Sequence, residues 1–184
     1  MRGNIEALEQ ALAISDEAGV DEIVCLGDLV GYGADPSECI ARICDRAAFV
    51  CAGNHDWAAS RLIDTSNLSG MASEAIRWTK EALEDADLEW LEALPLAKRR
   101  GSVEFVHGSN HDPEQFPYIF GSPEAAFALK RIDADLVFVG HSDRAFVFAE
   151  DSGEIVQAEG EAVVPEGRVL VNVGSVGQPR DGEP

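Results

Sequence analysis

Glu22-Ile23-Val24-Cys25-Leu26-Gly27-Asp28 is the stretch that decides the fold. A short apolar run rich in β-branched residues ends abruptly in a Gly-Asp turn, which reads as a buried strand followed by a tight loop. The same design recurs three times. Ala48-Phe49-Val50-Cys51 leads into Gly53-Asn54-His55-Asp56, Val103-Glu104-Phe105-Val106 into His107-Gly108, and Leu136-Val137-Phe138-Val139 into Gly140-His141-Ser142-Asp143. Three of the four histidines lie in these turns. Ligands and metals in α/β proteins favour the crevice outside the carboxyl ends of strands, so the pattern predicts one site assembled from four loops.

Composition narrows the setting. A chain of 184 residues is expected to form a single domain over 1–184 with a substantial core. No apolar run is long enough for a membrane helix, and Met1-Arg2-Gly3-Asn4-Ile5-Glu6 lacks the design of a signal peptide. The net charge of −20 argues against a general nucleic-acid surface, which needs basic patches. Lysine is confined to Lys80, Lys98 and Lys130. An acidic solvated surface explains this balance; adaptation to high salt, where screening suppresses self-repulsion, explains it slightly better. Cys25, Cys39, Cys44 and Cys51 lack zinc-ribbon spacing and are read as reduced thiols of a cytoplasmic protein.

The turns organise the remaining elements. Residues 5–18 read as an amphipathic helix with Ile5, Leu8 and Leu12 on one face and Gly19 as its stop. A helix is expected near 37–46, and two helical pieces over 70–94, with Trp78 and Trp90 as packing residues. Residues 95–107 suggest a hairpin turning at Arg100-Gly101. Ser122-Pro123-Glu124 reads as a capping serine, a proline at the first helical position and an acid in the first turn. A second hairpin is expected over 145–157, and a last strand over 168–173. Helices between strands early and hairpins late imply a mixed sheet, or two packed sheets with outer helices.

Aspartate, asparagine and imidazole together suit a divalent ion such as Mn²⁺, Fe²⁺ or Zn²⁺. Asp28 has two carboxylate oxygens, Asn54 a neutral carbonyl oxygen, and His107 and His141 ring nitrogens. His55 and Asp56 suit a catalytic role. The imidazole could donate a proton to a leaving oxygen or stabilise a phosphoryl transition state, with Asp56 orienting it. A simpler reading makes Asp56 only a helix cap. His111 reads as a surface residue.

With these residues in view, the chain resembles the calcineurin-like metallophosphoesterases of the small prokaryotic phosphodiesterase type. The matching stretches are Gly27-Asp28-Leu29-Val30-Gly31-Tyr32-Gly33, Gly53-Asn54-His55-Asp56, Val106-His107-Gly108, Gly140-His141 and Gly174-Ser175-Val176-Gly177-Gln178-Pro179. The resemblance implies an α/β fold, a four-layer α/β/β/α sandwich of two mixed sheets. It also implies two divalent ions (Mn, Fe, Zn or Ni, manganese first) and attack of metal-activated water on a phosphoester. By resemblance Asp28 bridges the two ions, Asn54, His107 and His141 complete the coordination of the second ion, and His55 contacts phosphate. The implied partner is a small phosphodiester or nucleotide-like substrate; Arg180 and Tyr32 are further candidates to touch it.

The first ion's shell departs from that pattern. The family opens with a strand ending in Asp-x-His-Gly-Asn; here Gly3-Asn4 is preceded by Met1-Arg2, so Arg2 stands at the histidine position. The family's Gly-His-x-His loop reads Gly140-His141-Ser142-Asp143, leaving Asp143 as the remaining oxygen donor for that ion. The expectation is therefore a domain lacking its first core strand, shortened at both ends, with at most one complete metal shell. Two functions follow: a metal-dependent phosphoesterase, or a non-catalytic protein that retains a metal or phosphate for regulation or assembly.

Overall fold

The computed structural model describes residues 1–60, 62–63, 70–156 and 164–180. They form two compact units, one comprising Met1–Pro95 with Val176–Gln178, the other Leu96–Ser175 with the segment from Pro179. The class is mixed α/β with two sheets, as the sequence led us to expect.

The first unit begins with helix α1 (Ile5–Ala18). Asn4 caps it by accepting from the Ala7 amide, and Gly19 ends it with a left-handed φ of 65°. Strand β1 (Ile23–Cys25) pairs in parallel with β2 (Ala47–Val50), and helix α2 (Pro36–Arg46) makes the crossover between them. Parallel strands need such a crossover, and Pro36 at the helix start supplies a preset φ for it. Helices α3 (Asn54–Ala59), α4 (Gly70–Ala82) and α5 (Asp85–Glu92) follow. Leu8, Leu12, Cys25, Leu29, Ile40 and Leu91 anchor one apolar core. Met1–Asn4 forms no strand: its backbone donates from Arg2 to Asp28 O (2.8 Å) and from Gly3 to Leu29 O (2.7 Å).

The second unit is built on a six-stranded sheet in the order β3-β4-β5-β8-β6-β7. Its strands are β3 (Ala97–Arg100), β4 (Val103–Val106), β5 (Leu136–Val139), β6 (Ala145–Ala149), β7 (Ile155–Val156) and β8 (Val169–Val173). β4, β5 and β8 run parallel, so their carboxyl ends share one edge of the sheet. Helix α6 (Ser122–Leu129) makes the crossover between β4 and β5. The core here gathers Val106, Leu129, Val137, Phe146, Phe148 and Leu170.

Two local expectations shift. Gly121, not Ser122, is the cap of α6; Ser122 lies inside the helix and its side chain makes no capping bond, which moves Pro123 to the second position. Trp78 is 43% exposed, whereas Trp90 packs on the first core. The period-3.6 pattern placed both on helices but could not rank their burial. Residue 157 of the second hairpin lies outside the described residues.

Candidate functional site

In the first unit the turns after β1 and β2 meet backbone to backbone. A Cβ on Gly27 would lie 2.4 Å from Gly53 N, and one on Gly53 would lie 2.2 Å from Asp28 Oδ1. Only glycine permits that approach, and Gly27 also holds φ at +96°. Asp28 follows in the left-handed region at φ 53° and is buried.

Asp56 organises this corner. Its Oδ2 accepts from the amides of Asp28 and Gly53 (both 2.8 Å), and its Oδ1 from Leu29 (2.9 Å) and Val30 (3.3 Å). Of the two readings of Asp56, helix capping is realised through Gly53. These contacts extend it: the carboxylate also fixes the loop that carries Asp28, and its four bonds all come from backbone amides. Complete burial and the nearby Asp28 charge push the Asp56 carboxyl up to about 7, against the opposing pull of the Gly53, Val30 and Leu29 amides.

The Asp28 carboxylate is itself engaged on both oxygens. Oδ1 accepts from the His55 amide at 3.0 Å. Oδ2 receives Arg2 Nε at 3.1 Å and Arg2 Nη2 at 3.0 Å. The Arg2 guanidinium lies 5.5 Å from the centre of the Tyr32 ring, and that ring stands 5.1 Å from the His55 imidazole. Gly31 leaves room for the imidazole, since a Cβ there would lie 2.6 Å from His55 Nδ1. Asn54 Oδ1 is buried with no hydrogen-bond partner among the described residues. An orphaned buried acceptor costs free energy, which fits the ligand role expected of it. Arg2, Tyr32, Asn4, Asp35 and Gln178 line a cavity of about 390 Å³.

The second unit holds its histidines on parallel strand ends. His107 follows β4, and His141 follows β5 in a left-handed conformation at φ 64°. Both are buried, and His107 Nε2 lies 3.1 Å from His141 Nδ1. Two nitrogens each roughly 2.1 Å from one ion would be about 3.0 Å apart in octahedral geometry and about 3.4 Å in tetrahedral, so the spacing suits a shared metal. Tyr118 stacks on His141 with centroids 3.7 Å apart, and Phe116 meets His107 edge-on at 5.9 Å.

Asn172 on β8 ties these loops together. Its Nδ2 donates to Gly140 O (3.1 Å) and Ser142 Oγ (2.8 Å), and its Oδ1 accepts from Gly174 N (3.2 Å). Asp143, also left-handed at φ 59°, meets Arg180 Nε at 3.2 Å. His111 is exposed beside Asp112, as expected of a surface residue.

The sequence reading missed three supports: the Arg2 contact with Asp28, Asn172, and the aromatic pair Phe116 and Tyr118. Asn172 left a signal, as an amide inside the apolar strand Val169-Leu170-Val171-Asn172-Val173. The aromatics left none, because they follow an irregular loop.

Comparison with known proteins identifies the family. The profile of the calcineurin-like phosphoesterases matches residues 1–144. The uncharacterized protein MJ0912 of Methanocaldococcus jannaschii is 36% identical over 187 residues, covering 99% of this chain and 75% of that protein. The crystal structure of a metallophosphoesterase from Sphaerobacter thermophilus superposes with a TM-score of 0.86 at 36% identity, covering 99% of this chain and 76% of that one. The hypothetical protein PH1004 from Pyrococcus horikoshii OT3 shares the fold at a TM-score of 0.73 and 19% identity, covering 96% and 74%. A profile match over most of the chain and a 36% identical relative leave one assignment: this chain belongs to the calcineurin-like phosphoesterase family.

Proposed function

We propose that the protein is a metal-dependent phosphoester hydrolase acting on a small phosphodiester or nucleotide-like substrate, with Asp28, Asn54, His107 and His141 as ligands of a divalent ion, manganese first. The observation that carries this reading is the buried His107–His141 pair, with two ring nitrogens 3.1 Å apart. The orphaned Asn54 Oδ1 supports it independently.

A bound divalent ion supplies Lewis acidity and lowers the pKa of water. The chain's own residues supply placement. Asp56 holds the backbone of the Asp28 loop, so the carboxylate needs little reorganisation when a ligand arrives. Asn172 and the stacked Tyr118 restrain the His141 loop and ring in the same way. His55, buried and packed on Tyr32, contacts a phosphoryl oxygen in this reading and protonates the leaving oxygen. Asp56 acts as a positioning residue. A cytoplasmic location is part of the proposal.

The test is hydrolysis of bis(p-nitrophenyl) phosphate in manganese at high salt. Turnover in the native chain that Asp28→Ala and His141→Ala abolish supports the reading; turnover that survives both variants overturns it. A second reading, a non-catalytic metal- or phosphate-binding protein, is favoured by the Arg2–Asp28 and Asp143–Arg180 pairs. It predicts a manganese binding isotherm without turnover at saturating metal.

A further inference from the structure

We propose that the Arg2 guanidinium is a permanent, chain-supplied cation on Asp28 that stands in place of a second metal ion, so that the protein binds one divalent ion per chain. The inference rests on the metal reading above and specifies its stoichiometry.

Arg2 is only 3% exposed. Removing a guanidinium from water is costly unless it is paired and hydrogen-bonded, so a buried arginine marks a built contact. Its Nε and Nη2 both reach Asp28 Oδ2, at 3.1 and 3.0 Å, and its Nη1 donates to Gln178 Oε1. The backbone is equally committed. Arg2 N donates to Asp28 O (2.8 Å), and Arg2 O accepts from Gly33 N (2.6 Å). A Cβ on Gly33 would lie 2.2 Å from Gly3 O, so the two segments are in contact with no room for a side chain between them.

Chemistry follows from this placement. Arginine keeps its charge at every working pH, so Asp28 Oδ2 always faces a cation. An incoming divalent ion therefore meets a carboxylate already neutralised on one side and repelled by a fixed charge. A guanidinium can offset phosphate charge and donate hydrogen bonds, but it cannot polarise water as a Lewis acid does. In the second unit the Asp143 carboxylate is likewise balanced by an arginine, Arg180 at 3.2 Å. Two-metal hydrolysis places its ions roughly 3.5–4 Å apart on a shared ligand. With Arg2 on Asp28, that sharing is between one ion and one side chain.

The experiment is equilibrium dialysis of the full chain against Mn²⁺, read by metal analysis and by electron paramagnetic resonance. One ion per chain with an uncoupled six-line spectrum is expected. Arg2→Met should bind manganese about tenfold more tightly, because a competing charge is gone, while Arg2→Lys stays within about threefold of the native chain. Gln178→Ala loosens Arg2 without removing it and should shift the affinity in the same direction by about threefold, which keeps the test open if Arg2→Met does not fold. Two exchange-coupled ions in the native chain overturn the inference and leave the metal reading standing. So does an unchanged affinity in both Arg2→Met and Gln178→Ala. No bound ion at all overturns the metal reading and the inference together.

Discussion

The Asp28 corner and the histidine corner hold their candidate ligands by different means. Around Asp28 the supports are charged: Asp56 gathers four backbone amides and Arg2 grips the carboxylate. Around His107 and His141 the supports are an amide side chain, two aromatic rings and one imidazole against the other. Buried charge is expensive and directional, whereas neutral hydrogen bonds and ring packing cost little to bury. The first corner should therefore respond to pH and to single charge deletions. The second should respond to loss of shape and of neutral hydrogen bonds.

The most damaging change should be Asp56→Ala, which strips the acceptor from four buried amides at once. A loss of about 4 kcal/mol is expected at about one or more per orphaned donor. Urea denaturation at pH 6 checks it, and an unchanged midpoint would mean that the four Asp56 hydrogen bonds contribute nothing. Next comes Asn172→Leu, close in size but without the amide. It leaves Gly140 O and Gly174 N without the Asn172 partner and should cost about 3 kcal/mol, together with weaker manganese binding. A variant that loses stability but binds metal normally would separate Asn172 from the positioning of His141.

The third prediction is the pH response of the metal-free protein. The Asp56 carboxyl lies at about 7 in the folded chain against an ordinary 3.8, so the folded state holds its proton longer than the unfolded one. Below pH 3.8 the group contributes no penalty. The penalty grows as pH rises and is complete above about 7. Stability should therefore be greater at pH 5.5 than at pH 8, by about 2 kcal/mol. Chelator and roughly 1 M salt, which shortens the screening length to about 3 Å, isolate this buried group from surface repulsion. Equal stability at the two pH values would remove the contrast between the corners. The smallest effect belongs to Arg42→Ala. The Arg42–Glu9 pair lies at the solvent-exposed surface, so its loss should leave the thermal midpoint nearly unchanged.

Much of this molecule was legible in the chain. The helix over 5–18, its stop at Gly19 and the strand over 136–139 follow from period and punctuation, and their bounds match. Hydrophobic alternation and glycine placement are local signals, carried by neighbouring residues, so they survive without knowledge of the rest. The same holds for the metal-suited residue types after the strands. Trp78 shows where local signals end, because burial depends on which other element arrives.

Arg2 marks the boundary most clearly. From the chain one sees an arginine where the family has a histidine. That it closes on Asp28 across 26 positions, with Gln178 from 176 positions away on its other nitrogen, is a product of folding. Asp56 is similar: its short turn announces a helix cap, but its grip on the amides of Asp28, Leu29 and Val30 requires two strands in parallel register. Residue chemistry and local conformation are written in sequence because they depend on neighbours along the chain. Which cation neutralises which carboxylate depends on distances through space, set by packing, and so belongs to the fold.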